Sequence, residues 1–203
     1  MLLLDQNGMV KSSRITKKRY TNIERGKLEK VNGIVVHQTY SKTAESAFNS
    51  YQSKGATGAH FLIDKDGTIY QTASLSKTTW HVGQMKSRCY LEKKCSAADL
   101  TTIINLEKSW KNYKKISDLE KGKAFPDRFP ANVDSIGIEI VGMAWPEENK
   151  KEEVYEEVNE AQNSALQWLI GELTATLAVA RSEIYRHPEI ARKNSTEART
   201  AKW

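Results

Sequence analysis

The sequence predicts an α/β fold: a single domain with a central mixed β-sheet flanked by helices. Three observations carry this reading. Short runs rich in Val and Ile, bounded by turn residues, alternate with stretches whose apolar residues recur at helical spacing. That alternation builds layers of helix around one sheet. The 203 residues fit one domain with a sizeable core, and no internal repeat or Gly/Ser-rich linker divides them.

The opening "LLLDQNGMV" reads as a short hairpin, because Asn7-Gly8 favours a tight primed turn. Residues 11–30 are basic and lack periodicity, so residues 1–30 are read as a basic N-terminal arm with a short hairpin and 31–203 as the main domain. "GIVVHQT" is a strand, and "TAESAFNSYQSKG" a helix that begins near Thr43 and stops at Gly55. "AHFLIDKDGTIYQTA" is a second hairpin, turning at Asp66-Gly67. "SAADLTTIINLEKSW" opens on a capping-box pattern, Ser96 to Asp99, and is helical. Residues 111–133, rich in Lys and then carrying Pro126 and Pro130, read as a surface loop with at most a short helix. "SIGIEIVG" is an Ile-rich strand. Ala161, Ala165, Leu166, Leu169, Ile170, Leu173 and Leu177 recur at helical spacing and predict a long helix over roughly 152–179. "EIYRH" is a last short strand.

A hydrophobic content of 39% with 28% charged residues describes a folded globular chain, not a disordered one. No apolar run reaches the length of a membrane-spanning helix, so membrane insertion is not expected. "MLLLDQNGMV" is too short and too poorly flanked for a secretory signal. The net charge is +6, and residues 1–30 hold eight Lys or Arg against three acids. Such an arm suits a polyanionic surface or simply a solvated one. It lacks the series of interleaved aromatic residues that stacking on bases needs, so nucleic acid is not an expected partner. Cys89 and Cys95 are the only cysteines. Their spacing permits a small disulfide loop in an oxidising compartment and equally permits two free thiols.

Of the four histidines, His37 and His187 end predicted strands, where functional groups gather in α/β sheets. Either alone is more often a satisfied structural residue. After His187, "HPEIARKNSTEARTAKW" has no periodicity and holds two acids, one of which could return to the histidines. Two imidazoles and one carboxylate with a fourth position open form a catalytic zinc set. Glu139 stands among Ile136, Ile138, Ile140 and Val141, on the strand face of Gly137 and Val141. A carboxylate there costs free energy unless it is paired or functional. It is either an outward-facing residue of a half-solvated strand or a general base whose pKa is raised by apolar neighbours.

"IVVHQT", "AHFLIDKDGTIYQ", "WHVG", "SIGIEIVG" and "HPEIARKNSTEA" together resemble, in order and spacing, the zinc-dependent N-acetylmuramoyl-L-alanine amidases. That superfamily includes phage lysozyme-type amidases, bacterial anhydromuropeptide amidases and animal peptidoglycan recognition proteins. The resemblance covers about residues 31–203. It implies that His37 and His187 bind zinc, and that Glu197 is the third ligand where the bacterial branch has Asp. It implies that Glu139 is the catalytic glutamate, since Ala59 occupies the place of the tyrosine used by the phage branch. His81 and Trp80 of "WHVG" match substrate-side positions, and His60 a structural one. The bacterial branch has a Lys two residues before its acidic ligand; here that residue is Ser195, and Lys193 is the substitute for stabilising an oxyanion.

The implied activity is zinc-dependent hydrolysis of the amide between N-acetylmuramic acid and the L-alanine of the stem peptide, with peptidoglycan or muropeptide as partner. Without a recognisable signal, such an enzyme reaches the periplasm or wall by phage lysis or through a secretion system. An injected antibacterial effector implies an immunity or inhibitor protein as a further partner. The alternatives are a non-catalytic peptidoglycan-binding module and a cytosolic muropeptide-recycling amidase.

Overall fold

In the computed structural model, which describes residues 1–203, strands β1 (Ile15–Lys17), β2 (Glu24–Lys27) and β3 (Gly33–Gln38) precede helix α1 (Ala44–Tyr51). Strands β4 (Phe61–Ile63), β5 (Ile69–Gln71) and β6 (Lys77–Thr79) lead into a helical segment of α2 (Arg88–Leu91), α3 (Ala97–Glu107) and α4 (Tyr113–Lys121). Strands β7 (Ser135–Ile140), β8 (Ala144–Trp145) and β9 (Val154–Tyr155) follow, then the long α5 (Glu160–Leu177), β10 (Ile184–Arg186) and α6 (His187–Ile190).

The expected mixed sheet is present. Its order is β1-β5-β4-β7-β3-β10, and only β4 and β5, joined by the turn at Gly67 (φ +84°), run antiparallel. Strand alternation sorts its residues to two faces. Val36, Phe61, Ile63, Ile136, Ile138 and Ile140 are buried against Leu166, Leu169, Ile170 and Leu173 of α5. Each such side chain contributes about 1.5–3 kcal/mol on burial. The opposite face carries Val35, His37, Leu62, Gly137 and Glu139. There Leu62 packs with Phe48 and Tyr51 of α1, and Val35 packs with Val82, Met85 and Ile190. His37 and Glu139 thus lie on the face that α5 leaves free.

The N-terminal hairpin forms, with Leu4 bridged to Val10 and Gly8 at φ +72°. Residues 11–30 are more ordered than their lack of periodicity predicts. Strand β1 adds a parallel edge beside β5, and β2 pairs with β6. Strands of three and four residues are too short to show a period, and it is tertiary pairing that creates them.

Two helices differ from expectation. The long C-terminal helix starts at Glu160, not near 152. Asn159 accepts the backbone N–H of Gln162, and the Gln162 side chain accepts that of Asn159. This reciprocal cap fixes the start, while Val154–Tyr155 pairs with β8 instead. The Lys-rich stretch contains the nine-residue α4, anchored by fully buried Ile116. Lys is a good helix former, and both prolines fall after the helix ends. Ser96 caps α3 as expected, accepting from the Asp99 N–H. Cys89 and Cys95 form a disulfide between α2 and the start of α3. No helix is long and apolar enough to cross a membrane.

Candidate metal centre

Strands β3 and β7 run parallel in register, with His37 opposite Glu139. On the other side of β3, Arg186 of β10 pairs with Val36. His187, the next residue, therefore arrives beside His37, and the two rings lie 4.1 Å apart. Pro188 at the first turn of α6 then turns the chain away. Gln38, next to His37, governs how the chain returns: its Oε1 accepts the N–H of Ala198 at 2.8 Å. Ala198 adopts a left-handed conformation, φ +54°. Asn194 donates to the Glu153 carbonyl, and Thr196 accepts from the Tyr155 N–H. These contacts present Glu197 to the two imidazoles.

The Glu197 Oε1 atom lies 3.0 Å from His187 Nδ1 and 3.5 Å from His37 Nδ1. One ligand atom from each of the three buried residues lies within 4.8 Å of the others. The opposite ring nitrogens are engaged elsewhere. His187 Nε2 donates to the Val82 carbonyl at 2.8 Å, and His37 Nε2 meets His81 Nδ1 at 3.0 Å. The Val82 carbonyl can only accept, so the His187 proton sits on Nε2 and its Nδ1 turns a lone pair toward the carboxylate, where His37 Nδ1 also points. Three converging lone pairs repel one another unless a cation sits among them. Two nitrogens and one oxygen are a donor set that fits zinc.

The electrostatics agree with the donor set. Burial, then the neighbouring His187, lowers His37 to about 4, so it is neutral near pH 7, the form that ligates metal. For Glu197, burial alone would raise the pKa, but the two imidazoles against its carboxylate outweigh it and leave about 2. Glu139 behaves oppositely: burial, reinforced by the Glu197 charge and opposed by Lys193, pushes it up to about 8. Its Oε2 is buried without a hydrogen-bond partner. A bound cation would favour the ionised carboxylate.

These groups line a cavity of about 940 Å³ that also holds Trp80, His81, Asn132 and Lys193. Glu139 faces this cavity. Trp80 is 50% exposed on its wall, with the Arg25 guanidinium over its ring. His81 is in the wall too, but both its ring nitrogens are taken, by His37 and by Ser135 Oγ at 3.2 Å. Lys193 is exposed at the rim. Ser195 is turned away, its N–H and hydroxyl both donating to Glu152. His60 is buried outside the cavity, with Nδ1 accepting from the Gly137 N–H and Nε2 meeting the Lys77 carbonyl, a structural role. Sequence reasoning missed Gln38, Asn132 and Ser135. Small amides and hydroxyls of this kind are ordinary in loops and strand ends, and only long-range contacts distinguish them.

The profile of the N-acetylmuramoyl-L-alanine amidase family matches residues 27–201. Among solved structures, a selenomethionine derivative of AmpD is similar over 96% of this chain and 91% of its own, at 18% identity and a TM-score of 0.56. AmpDh3 from Pseudomonas aeruginosa is similar over 98% of this chain and 63% of its own, at 19% identity and a TM-score of 0.54. The N-acetylmuramoyl-L-alanine amidase LysC from Clostridium intestinale is similar over 90% of this chain and 87% of its own, at 16% identity and a TM-score of 0.50. At these identities the structural likeness speaks for the fold. No curated protein sequence matches the chain.

Proposed function

The chain belongs to the N-acetylmuramoyl-L-alanine amidase family, and on that premise we propose that it is a zinc hydrolase held together by His37, His187 and Glu197, with Glu139 as its base. The enzyme class itself, a peptidoglycan amidase, follows from the family. One observation supports the finer reading: ligand atoms of two buried imidazoles and a carboxylate converge within 4.8 Å beside a cavity-facing glutamate.

The bond cut is the amide between the lactyl carbonyl of N-acetylmuramic acid and the nitrogen of L-alanine. When bound, zinc supplies Lewis-acid chemistry, acidifying water and polarising the carbonyl. Glu139 takes a proton from the attacking water onto its carboxylate as the new C–O bond forms. Lys193 offers its ammonium to the oxyanion that develops on the lactyl oxygen. As the C–N bond breaks, Glu139 returns its proton to the departing alanine nitrogen. Trp80, exposed on the cavity wall, offers an apolar face to a sugar ring.

The Cys89–Cys95 disulfide supports action in an oxidising compartment. That favours a periplasmic or wall-acting lysis enzyme or delivered effector over cytosolic recycling, and an effector needs an inhibitor in the producing cell. The test is digestion of purified sacculi followed by mass spectrometry. The expected products are free peptides beginning at L-alanine and unshortened glycan strands. Binding to sacculi without release of peptide, zinc being supplied, would replace this reading with that of a recognition module.

A further inference from the structure

We propose that the dipeptide His81–Val82, clamped by Asn132, positions both metal-facing imidazoles, and that His81 with Ser135 sets the tautomer of His37. The inference rests on reading His37, His187 and Glu197 as zinc ligands, and assigns to His81 a positioning role in place of substrate contact.

The argument starts at a group that can only accept. The Ala131 carbonyl receives the Ser135 hydroxyl at 2.6 Å. A hydroxyl has one hydrogen, so toward His81 Nε2, 3.2 Å away, Ser135 must accept. The proton of His81 therefore sits on Nε2. In the imidazole form with one donor and one acceptor nitrogen, a proton on Nε2 leaves Nδ1 as the acceptor. That Nδ1 is then bare and accepts from His37 Nε2 at 3.0 Å. His37 is left with its Nδ1 lone pair directed at Glu197 and His187. One fixed carbonyl thus propagates through Ser135 and His81 to a single tautomer of the ligand.

His187 is served by the adjacent residue. Its Nε2 donates to the Val82 carbonyl, which leaves Nδ1 bare in the same sense. Both supports hang from one side chain. Asn132 Oδ1 accepts the N–H of His81 at 3.0 Å and that of Val82 at 2.8 Å. Ala131, Asn132 and Ser135 belong to one turn, closed by Asp134 Oδ1 accepting the Ala131 N–H at 2.7 Å. Gly137 completes the arrangement. A Cβ there would stand 2.9 Å from His81 Cγ, so only glycine lets the ring lie against β7. Outer groups of this kind fix ring orientation, and their loss costs about 10–100-fold in metal affinity.

The test uses the full chain loaded with zinc. Two-bond ¹H–¹⁵N correlation spectra of the histidine-labelled protein should show His81, His37 and His187 all protonated on Nε2. A proton on His81 Nδ1 would overturn the inference without any mutation. Zinc dissociation constants from chelator competition provide a second measure. His81→Leu and Asn132→Leu should weaken zinc by about 10–100-fold. His81→Asn, which restores an acceptor near the lost Nδ1, should recover most of that loss. Equal affinities for His81→Asn and His81→Leu would reduce His81 to packing and overturn its role. Wild-type affinity in all three variants would overturn the inference while leaving the ligand set intact. A wild-type protein that holds no zinc would overturn both.

Discussion

His37 and Glu139 are direct partners across the parallel pair β3–β7. Their spacing is set by the sheet, in which neighbouring strands lie about 4.8 Å apart. The proposed ligand and the proposed base therefore cannot drift relative to each other without breaking the central ladder. The third group, Glu197, comes from a loop and has to be held by side chains.

The first prediction concerns metal content. The protein should retain one zinc per chain through dialysis, measured by elemental analysis. His37→Ala and His187→Ala should each lose it, because two remaining ligands make a weak site. Full zinc in both variants would remove the strand "GIVVHQ" from the metal centre.

Glu139→Gln tests the base. The amide keeps the shape of the carboxylate and cannot take a proton. Peptide release from sacculi should fall by about 10²–10⁴-fold with zinc content unchanged. Near-normal turnover would make Glu139 a bystander facing the cavity.

The family and the sheet were legible in the sequence because they depend on local signals: Ile- and Val-rich runs, turn dipeptides and five motifs in register. The strand "SIGIEIVG" and the capped start of α3 are of this kind. What was not legible depends on distant partners. Strand β1 exists because β5 offers it an edge. Helix α5 starts later than its sequence predicts because the acids at 152–157 have helical propensity that only the Asn159 cap and the β8–β9 pairing override. At the site, the sequence points to His37, His187 and Glu197, and these line the same cavity as Glu139. It does not point to the supporting amides and hydroxyl. Gln38 and Ala198 are 160 residues apart, and nothing local marks either.

Lys193 should matter through rate. Removing one charged donor from an oxyanion costs about 10²–10³-fold in kcat. Lys193→Met should approach the lower end of that range, since the side chain is exposed at the rim, with KM little changed. Ser195→Ala should leave activity alone, because Ser195 faces Glu152. If Ser195→Ala is the damaging change and Lys193→Met is silent, the assignment of the donor is reversed.

The disulfide predicts a stability effect separate from chemistry. Cys89 and Cys95 close a short loop of sequence separation 6, which constrains the unfolded chain by roughly 2 kcal/mol. The double Ser variant should unfold at lower denaturant with zinc binding intact. Titration of the unreduced native protein under denaturing conditions should find no free thiol. Two free thiols there would withdraw the case for an oxidising compartment.

Glu197→Asp asks how tightly the loop is held. The variant is one methylene shorter and restores the residue of the bacterial amidases the sequence resembles. A compliant loop would move inward and keep the metal. This loop has little freedom. The Ala198 N–H is fixed to Gln38, and the Arg186 guanidinium donates to the Ala198 and Ala201 carbonyls. Asn194 and Thr196 are tied to β9 and the residue before it. Ala198 is held in the left-handed region, where a non-glycine residue costs about 1–2 kcal/mol and stays only if its surroundings enforce it. The backbone therefore should not follow, and the shorter carboxylate should fall short of the two Nδ1 atoms. Zinc affinity of Glu197→Asp should drop toward that of Glu197→Ala, and peptide release should drop with it. Relaxing the clamp with Gln38→Ala in the Asp background should then recover part of the affinity. Wild-type affinity in Glu197→Asp alone would show that the loop yields, and the clamp would have no part in setting the ligand distance.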